Sequence, residues 1–180
     1  MNGILEVNLK AIAFSLAILA APFFLLKLEG KKNFRKELLL GKLNWAKTLF
    51  QGLKLFAVTF FILVLQGIIL NLLGLLDNEI VVEIITAQEP LALLMAVTIG
   101  PIGEELLFRG YLLKRMGVVL QAVLFALFHY GYASISEILA ALAVGVLLGL
   151  YVKKNKDIYS AIAAHSFYNI FSITLVLFYV

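Results

Sequence analysis

Hydrophobic residues along this chain fall into six long runs that are separated by short polar segments. The runs cover residues 11–26, 55–76, 91–108, 118–132, 135–152 and 158–180. A helix needs about 20 apolar residues to cross a bilayer core, so each run is a candidate membrane span. The fourth run is short for a span, and its length also fits a re-entrant or core helix. We therefore predict an all-α, multi-pass transmembrane bundle of about six spans that forms one membrane domain over residues 1–180.

Composition supports placement in a membrane rather than in water. The chain has 180 residues, of which 63% are hydrophobic and 14% charged, whereas soluble domains average about 45–50% apolar and about 25% charged residues. A chain of this length cannot bury that much apolar surface inside itself. It has no cysteine and two histidines, so disulfides and thiolate metal sites are excluded.

Charge is distributed unevenly between the loops. Those after the first, third and fifth runs carry lysine and arginine, whereas residues 77–90 carry four acidic and no basic residues. Basic loops remain in the cytoplasm, so we expect a multi-pass cell-membrane protein with both termini outside. The net charge of +4 then indicates anionic lipids as partners, with no nucleic acid.

Two further patterns concern packing. Residues 34–56 alternate apolar side chains with lysines, which indicates either an amphipathic segment on the inner membrane surface or an extension of the second span. Together with the first two runs, this segment makes an N-terminal part over residues 11–76. In the fifth run Ala141, Gly145 and Gly149 recur every four residues, a spacing that lets another helix approach closely.

A set of polar side chains lies inside the predicted spans, where a charged group costs about 2.5–3.5 kcal/mol to insert. The candidates for chemistry are Glu104 and Glu105 in the third run, Arg109 directly after it, His129 in the fourth run, and His165 and Asn169 in the sixth. At about 1.5 Å per helical residue, the acidic, histidine and asparagine groups lie about 12–18 Å from the basic ends of their helices. This shared depth predicts one buried polar site that opens toward the cytoplasm.

Spacing divides these residues into pairs. Glu105 and Arg109 are four residues apart on one helical face, which predicts an ion pair. His165 and Asn169 have the same spacing. Glu104 lies about 100° around the helix from Glu105, which leaves it free to meet His129. Taken singly, each group also has a structural interpretation: an ion pair, a packing histidine, or an interhelical hydrogen bond.

A carboxylate and an imidazole in a dehydrated pocket can hold a water molecule and remove its proton. A nearby histidine–asparagine pair can donate hydrogen bonds to a developing oxyanion. This set is typical of amide hydrolysis. No Ser-His-Asp arrangement is present, because no aspartate lies within the runs.

Three motifs in the second half of the chain resemble those of a protease family. Residues 104–109 read Glu-Glu-Leu-Leu-Phe-Arg, residues 125–129 read Phe-Ala-Leu-Phe-His, and residues 165–169 read His-Ser-Phe-Tyr-Asn. In this order they resemble the motifs of the CAAX-protease and bacteriocin-processing family of intramembrane endopeptidases, the Rce1-like or Abi group. The resemblance covers about residues 91–169, inside a protease-like core over residues 91–180.

The resemblance implies a role for each motif residue. Glu104 would activate water with His129, His165 and Asn169 would stabilise the oxyanion, and Glu105 and Arg109 would support the site. Two histidines and a glutamate also make a zinc-type ligand set. Asn169 suits an oxyanion donor better than a metal ligand, so we expect neither a metal nor another cofactor.

The expected function is intramembrane hydrolysis of a peptide bond near the cytoplasmic half of the bilayer. The substrate would be a membrane-associated or CAAX-like peptide or protein. Only two spans precede the motif core, fewer than in larger relatives, and compact relatives cleave other membrane peptides such as bacteriocin or signalling precursors. Two other hypotheses remain open: a non-catalytic membrane binding or immunity protein, and a small proton-coupled transporter. The internal repeat typical of transporters is not visible in the sequence.

Overall fold

The computed structural model describes residues 2–179, with side chains described over residues 9–178. All regular structure in this part of the chain is helical, which confirms the predicted fold class. Five helices are long or of intermediate length: α1 (Asn2–Leu28), α3 (Trp45–Leu72), α7 (Leu113–Phe128), α8 (Ile135–Asn155) and α9 (Ile158–Tyr179). Four are short: α2 (Phe34–Glu37), α4 (Glu79–Thr86), α5 (Pro90–Val97) and α6 (Ile99–Glu105). The predicted end of the sixth run, Val180, lies outside the described residues.

Five stretches of the described chain are long and apolar enough to cross a membrane. Four coincide with the first, second, fifth and sixth predicted runs. The remaining stretch, Pro90–Tyr132, is 43 residues long and contains the third and fourth runs. As one straight helix it would measure about 65 Å, about twice the thickness of a bilayer core.

A chain reversal at Gly117 divides this long stretch into two arms. Gly117 lies inside α7 with φ 77° and ψ −178°, a conformation that glycine adopts without steric cost. Phe108 and Phe125 flank the reversal, and their ring centroids are 5.0 Å apart. In a continuous helix they would be about 25 Å apart. The third and fourth predicted runs are therefore antiparallel neighbours, although the helix of the fourth ends early, at Phe128.

The loops that carry most of the basic residues meet at one end of the bundle, called here the basic end. Lys47 forms an ion pair of 3.2 Å with Asp157. Glu29 pairs with Arg115 and accepts a 2.6 Å hydrogen bond from the Tyr111 hydroxyl. Hydrogen bonds from Arg115 and Tyr111 lower the pKa of Glu29 to about 2. These contacts join the first, third and fifth loops.

At the opposite end, called here the acidic end, Asp77 joins the second and fourth loops. Its carboxylate accepts hydrogen bonds from the Ser134 hydroxyl at 2.8 Å and from the backbone N–H groups of Ile135 at 2.6 Å and Ser136 at 2.9 Å. Asp77 thereby satisfies the first backbone donors of α8, which lack partners within the helix. Odd and even loops therefore lie at opposite ends, as alternating spans require.

Small residues set the distance between the helices. A Cβ on Gly145 would lie 2.9 Å from the Ala122 Cβ, so the predicted Ala141, Gly145 and Gly149 stripe is a close-packing surface. A Cβ on Gly103 would lie 2.9 Å from the backbone nitrogen of Leu19. The backbone of α1 therefore passes directly against the helix that carries Glu104.

Residues 34–56 divide into two parts. Residues from Trp45 onward belong to α3 and lengthen the second span. Residues 30–44 form a separate hairpin around α2 at the basic end. This hairpin is anchored in the protein, since Leu38 is 0% exposed and packs beside Leu26 and Ile158.

We predict that Gly103→Ala destabilises the protein by about 1–3 kcal/mol, because the added methyl group meets backbone that cannot rotate away. Gly67→Ala is the matched control, since a Cβ there has nothing within 4 Å and alanine favours the helix. The measurement is thermal unfolding in detergent. An unchanged midpoint for Gly103→Ala would contradict the close contact with α1.

Candidate active site

A break between α5 and α6 positions the acidic pair. Pro101 has no backbone N–H, and its ring excludes the carbonyl of Val97, four residues earlier. Helix α5 ends there, and Thr98 takes non-helical angles of φ −119° and ψ −84°. Helix α6 begins after this break and carries Glu104 and Glu105 in its last turn. A π-helical segment, Leu106–Leu112, follows and carries Arg109.

Three charged or polar groups form a fully packed network at the centre. Glu105 and Arg109 are both 0% exposed, and His165 is 6% exposed. The Glu105 Oε1 atom accepts from Arg109 at 2.8 Å and from His165 Nδ1 at 3.0 Å. The predicted ion pair between Glu105 and Arg109 is therefore present, and α9 contributes a third member.

Arg109 also contacts the two neighbouring helices. Its guanidinium lies 4.2 Å from the centroid of the Phe125 ring on α7, a cation–π distance. A second guanidinium nitrogen lies 3.4 Å from the Val144 carbonyl oxygen on α8. Arg109 thus holds together α7, α8 and the segment that bears it.

Glu104 lies beside this network and is more accessible. Its side chain is 16% exposed, and its Oε2 atom lies 3.8 Å from His165 Nε2. This oxygen has no hydrogen-bond partner. The separation exceeds that of a direct hydrogen bond. Since the Glu105 carboxylate accepts from Nδ1, the His165 Nε2 atom remains available on the side of Glu104.

His129 is near this pair without touching Glu104. It directly follows the last residue of α7, and its Nδ1 lies 2.9 Å from the Phe125 carbonyl oxygen. Because a carbonyl oxygen can only accept, Nδ1 is the donor in this hydrogen bond. The Phe125 ring centroid is 4.7 Å from that of His129 and 5.9 Å from that of His165. Within residues 9–178 no ion pair or hydrogen bond joins Glu104 to His129, so the expected meeting of these two residues is not formed. His165 occupies the position beside Glu104.

Asn169 is engaged in a contact that the sequence did not predict. Its Nδ2 donates a 2.9 Å hydrogen bond to the Ala96 carbonyl. Ala96 lies in the last turn of α5, where carbonyls lack partners within the helix. Asn169 therefore fastens α9 to the helix break, and one N–H of its amide group remains for another acceptor.

Two residues that sequence reasoning did not assign to the site lie beside it. Tyr132 stacks on His129 with ring centroids 6.0 Å apart. Glu137, half-buried in the first turn of α8, is close enough for its charge to interact with Glu104 and His165. Glu137 follows Ser134 at the spacing of a helix-capping box, and this local pattern gave no reason to place it in a site.

The surroundings of the site differ between the two ends of the bundle. Toward the basic end lies a packed core that includes Leu148, Ile158 and Ala161, each at most 1% exposed. The half-buried groups, His129 and Glu137, lie where α7 ends and α8 begins, toward the acidic end. The half-buried side chains next to the site thus lie on its acidic side, and the opening toward the cytoplasm stays a prediction.

Over the described side chains no group of three or more histidine, aspartate or glutamate residues has an arrangement that could hold a metal ion. The aromatic ring of Phe125 packs against both histidines.

Fold and site together define a helical membrane protein with a buried carboxylate–histidine centre. Residues 86–171 match the model of the Type II CAAX prenyl endopeptidase Rce1-like family, which confirms the resemblance seen in the three motifs. The matched segment contains all six motif residues, and the matching family is one of membrane proteases. Neither the curated proteins nor the solved structures include a match to the chain.

We predict that Glu105→Gln and Arg109→Met, made singly, each cost about 3–5 kcal/mol, because each leaves a buried partner charge uncompensated. The double variant should be more stable than either single variant. Protein abundance in membranes and thermal midpoints in detergent measure the effect. The control is Glu37→Gln, whose partner Lys114 is 3.8 Å away and partly exposed; such pairs contribute about 1 kcal/mol or less. A double variant no better than the singles would contradict the pairing.

Proposed function

We propose that this protein is an intramembrane endopeptidase that uses a glutamate-activated water molecule. The observation that carries the proposal is the position of Glu104. Its unpartnered Oε2 atom lies 3.8 Å from His165 Nε2, beside a Glu105–Arg109 pair whose charges offset each other. A carboxylate with a free oxygen next to an imidazole is a suitable general base for water.

In the proposed reaction a water molecule bonds Glu104 Oε2 and His165 Nε2. Glu104 accepts one proton from this water as its oxygen adds to the carbonyl carbon of the peptide bond. The carbonyl π electrons move to its oxygen and give a tetrahedral oxyanion. Glu104 then returns the proton to the amide nitrogen, the C–N bond breaks, and a carboxylic acid and an amine leave.

One donor, the second N–H of the Asn169 amide on α9, is proposed to stabilise the oxyanion. His129 and His165 donate through Nδ1 to the Phe125 carbonyl and the Glu105 carboxylate, which leaves each Nε2 as an acceptor. We assign the two Nε2 atoms to orienting the attacking water (His165) and the amide N–H of the substrate (His129). Losing one donor of an oxyanion site typically costs about 10²–10³ in rate. In this proposal His129 acts on the substrate rather than directly on Glu104.

Glu105 and Arg109 serve as positioning residues. Glu105 holds the His165 ring through Nδ1, which fixes the ring orientation in the way that a carboxylate orients a catalytic histidine. Arg109 offsets the negative charge of Glu105, so that Glu104 does not face a second uncompensated carboxylate.

We further infer that the basic end faces the cytoplasm, with both termini on the other side, by the positive-inside rule. The substrate is then a membrane-associated or CAAX-like peptide that reaches the site from the acidic end, where His129 and Glu137 are half-buried.

We predict that Glu104→Gln abolishes proteolysis while protein abundance remains near normal, because glutamine keeps the shape of the side chain but cannot accept a proton from water. The assay uses purified protein in liposomes with a fluorogenic membrane peptide. Glu83→Gln, which removes an exposed carboxylate at the acidic end, is the control and should keep full activity. Full activity of Glu104→Gln would exclude the proposed general base.

The same assay tests for a metal. The proposed mechanism requires activity to persist after incubation with strong chelators. Loss of activity with recovery on adding zinc would instead indicate a metalloprotease.

We predict that cysteines at Lys32 and Lys154 are shielded from an impermeant thiol reagent in intact cells, whereas cysteines at Asn78 and Glu83 are labelled. All four positions are exposed, and the chain has no native cysteine. Labelling after membrane disruption provides the control for reactivity. The reverse pattern would invert the proposed orientation and place the acidic end in the cytoplasm.

A further inference from the structure

A groove of about 530 Å³ lies at the basic end, between the 30–44 hairpin and the end of α8. Four of its lining residues are basic: Arg35, Lys36, Lys42 and Lys156. None of its lining residues is acidic. The groove is remote from Glu104 and His165 and belongs to no part of the proposed protease site.

The walls of the groove are fixed by contacts to the rest of the bundle. Leu38 is 0% exposed and packs into the core. The Tyr159 hydroxyl donates a 3.2 Å hydrogen bond to the Gly41 carbonyl, and Lys114 Nζ donates a 3.1 Å hydrogen bond to the Lys36 carbonyl. The backbone of the hairpin is therefore held in place, and the groove is preformed.

The groove lysines differ from other basic residues at the same end. Lys47, Lys114 and Arg115 each have a carboxylate partner: Asp157, Glu37 and Glu29 respectively. Within residues 9–178 no ion pair engages Lys36, Lys42 or Lys156. Lys36 and Lys156 also lie close enough to Lys114 for like charges to interact. Positive charges gathered without a counter-charge favour an anionic ligand.

The neighbouring residues show where the groove lies relative to lipid. Trp45 begins α3, three positions after Lys42, and is 77% exposed. Leu49 and Phe50 follow on α3, 54% and 58% exposed. Tryptophan is enriched at the membrane–water interface, and exposed leucine and phenylalanine below it suit acyl chains. The groove thus lies at the level of the lipid head groups.

We propose that this groove binds the phosphate of an anionic membrane lipid, with the lysines and Arg35 as phosphate donors and the acyl chains alongside α3. Arg35 uses its Nε for the Leu40 carbonyl at 3.4 Å and keeps its other guanidinium donors. A zwitterionic lipid has the same phosphate but adds a cation, which the basic groove disfavours. This inference depends on the membrane fold and not on proteolysis.

The test is native mass spectrometry of purified protein with phosphatidylglycerol or phosphatidylcholine. Wild type should retain phosphatidylglycerol in preference to phosphatidylcholine. The combined variant Lys36→Gln, Lys42→Gln, Lys156→Gln should bind phosphatidylglycerol about a hundredfold more weakly, since each basic residue near an anionic surface contributes about 1 kcal/mol. The matched control, Lys27→Gln, Lys153→Gln, Lys154→Gln, removes the same charge from exposed positions at the same end and should retain most of the binding.

A single variant guards against misfolding of the combined one. Lys156 directly follows the last residue of α8 and adopts a left-handed backbone conformation with φ 53°. Glycine is favoured at this position of a helix end. Lys156→Gly should therefore fold normally and weaken binding about fivefold. Equal binding by the groove and control variants, or no lipid preference in wild type, would overturn the proposal. Displacement of the lipid by an equal concentration of inorganic phosphate would indicate a soluble anion instead.

Discussion

Burial of the Glu105 carboxylate constrains most of the central geometry. Removing an ion from water costs several kcal/mol, and a partner recovers this cost only with good geometry. One oxygen of Glu105 meets both Arg109 and His165, and Arg109 also contacts Phe125 and Val144. Through these contacts α6, α7, α8 and α9 share one electrostatic centre. A relative rotation of any of these helices would expose a charge to an apolar surrounding.

This constraint also explains how two adjacent glutamates differ. Glu105 faces inward, and its carboxylate makes structural contacts with Arg109 and His165. Glu104, the preceding residue, is turned about 100° away, and its side chain is 16% exposed, whereas that of Glu105 is fully buried. The Glu-Glu sequence thus places Glu105, which makes structural contacts, next to Glu104, which we propose as the general base. Glu105 holds the ring of His165 through Nδ1, and Glu104 faces Nε2 of the same ring.

Features that depend on local spacing or on lipid were predictable from the sequence. Continuous apolar length predicted the spans, because a bilayer demands it, and the four-residue spacing of Glu105 and Arg109 predicted their ion pair. Features that depend on helix rotation were not predictable. The break at Thr98 and the π-helical segment alter the straight-helix geometry from which depth was counted. For this reason Glu104 lies beside His165 rather than His129, and Asn169 meets the freed Ala96 carbonyl. The sequence analysis did not assign Glu137 to the site, because nothing in its local sequence indicates which distant residues lie near it.

The Asp77 contacts have a consequence for the medium in which the protein works. Hydrogen bonds from Ser136, Ile135 and Ser134 hold the pKa of Asp77 well below its ordinary range, with Ser136 the largest cause. A carboxylate with a lowered pKa keeps its stabilising contacts above its ordinary pKa and loses them only as the pH falls through the lowered value. The connection between the second and fourth loops therefore persists in mildly acidic surroundings. If that end faces the cell exterior, mild acidification of the medium leaves the connection between these two loops in place.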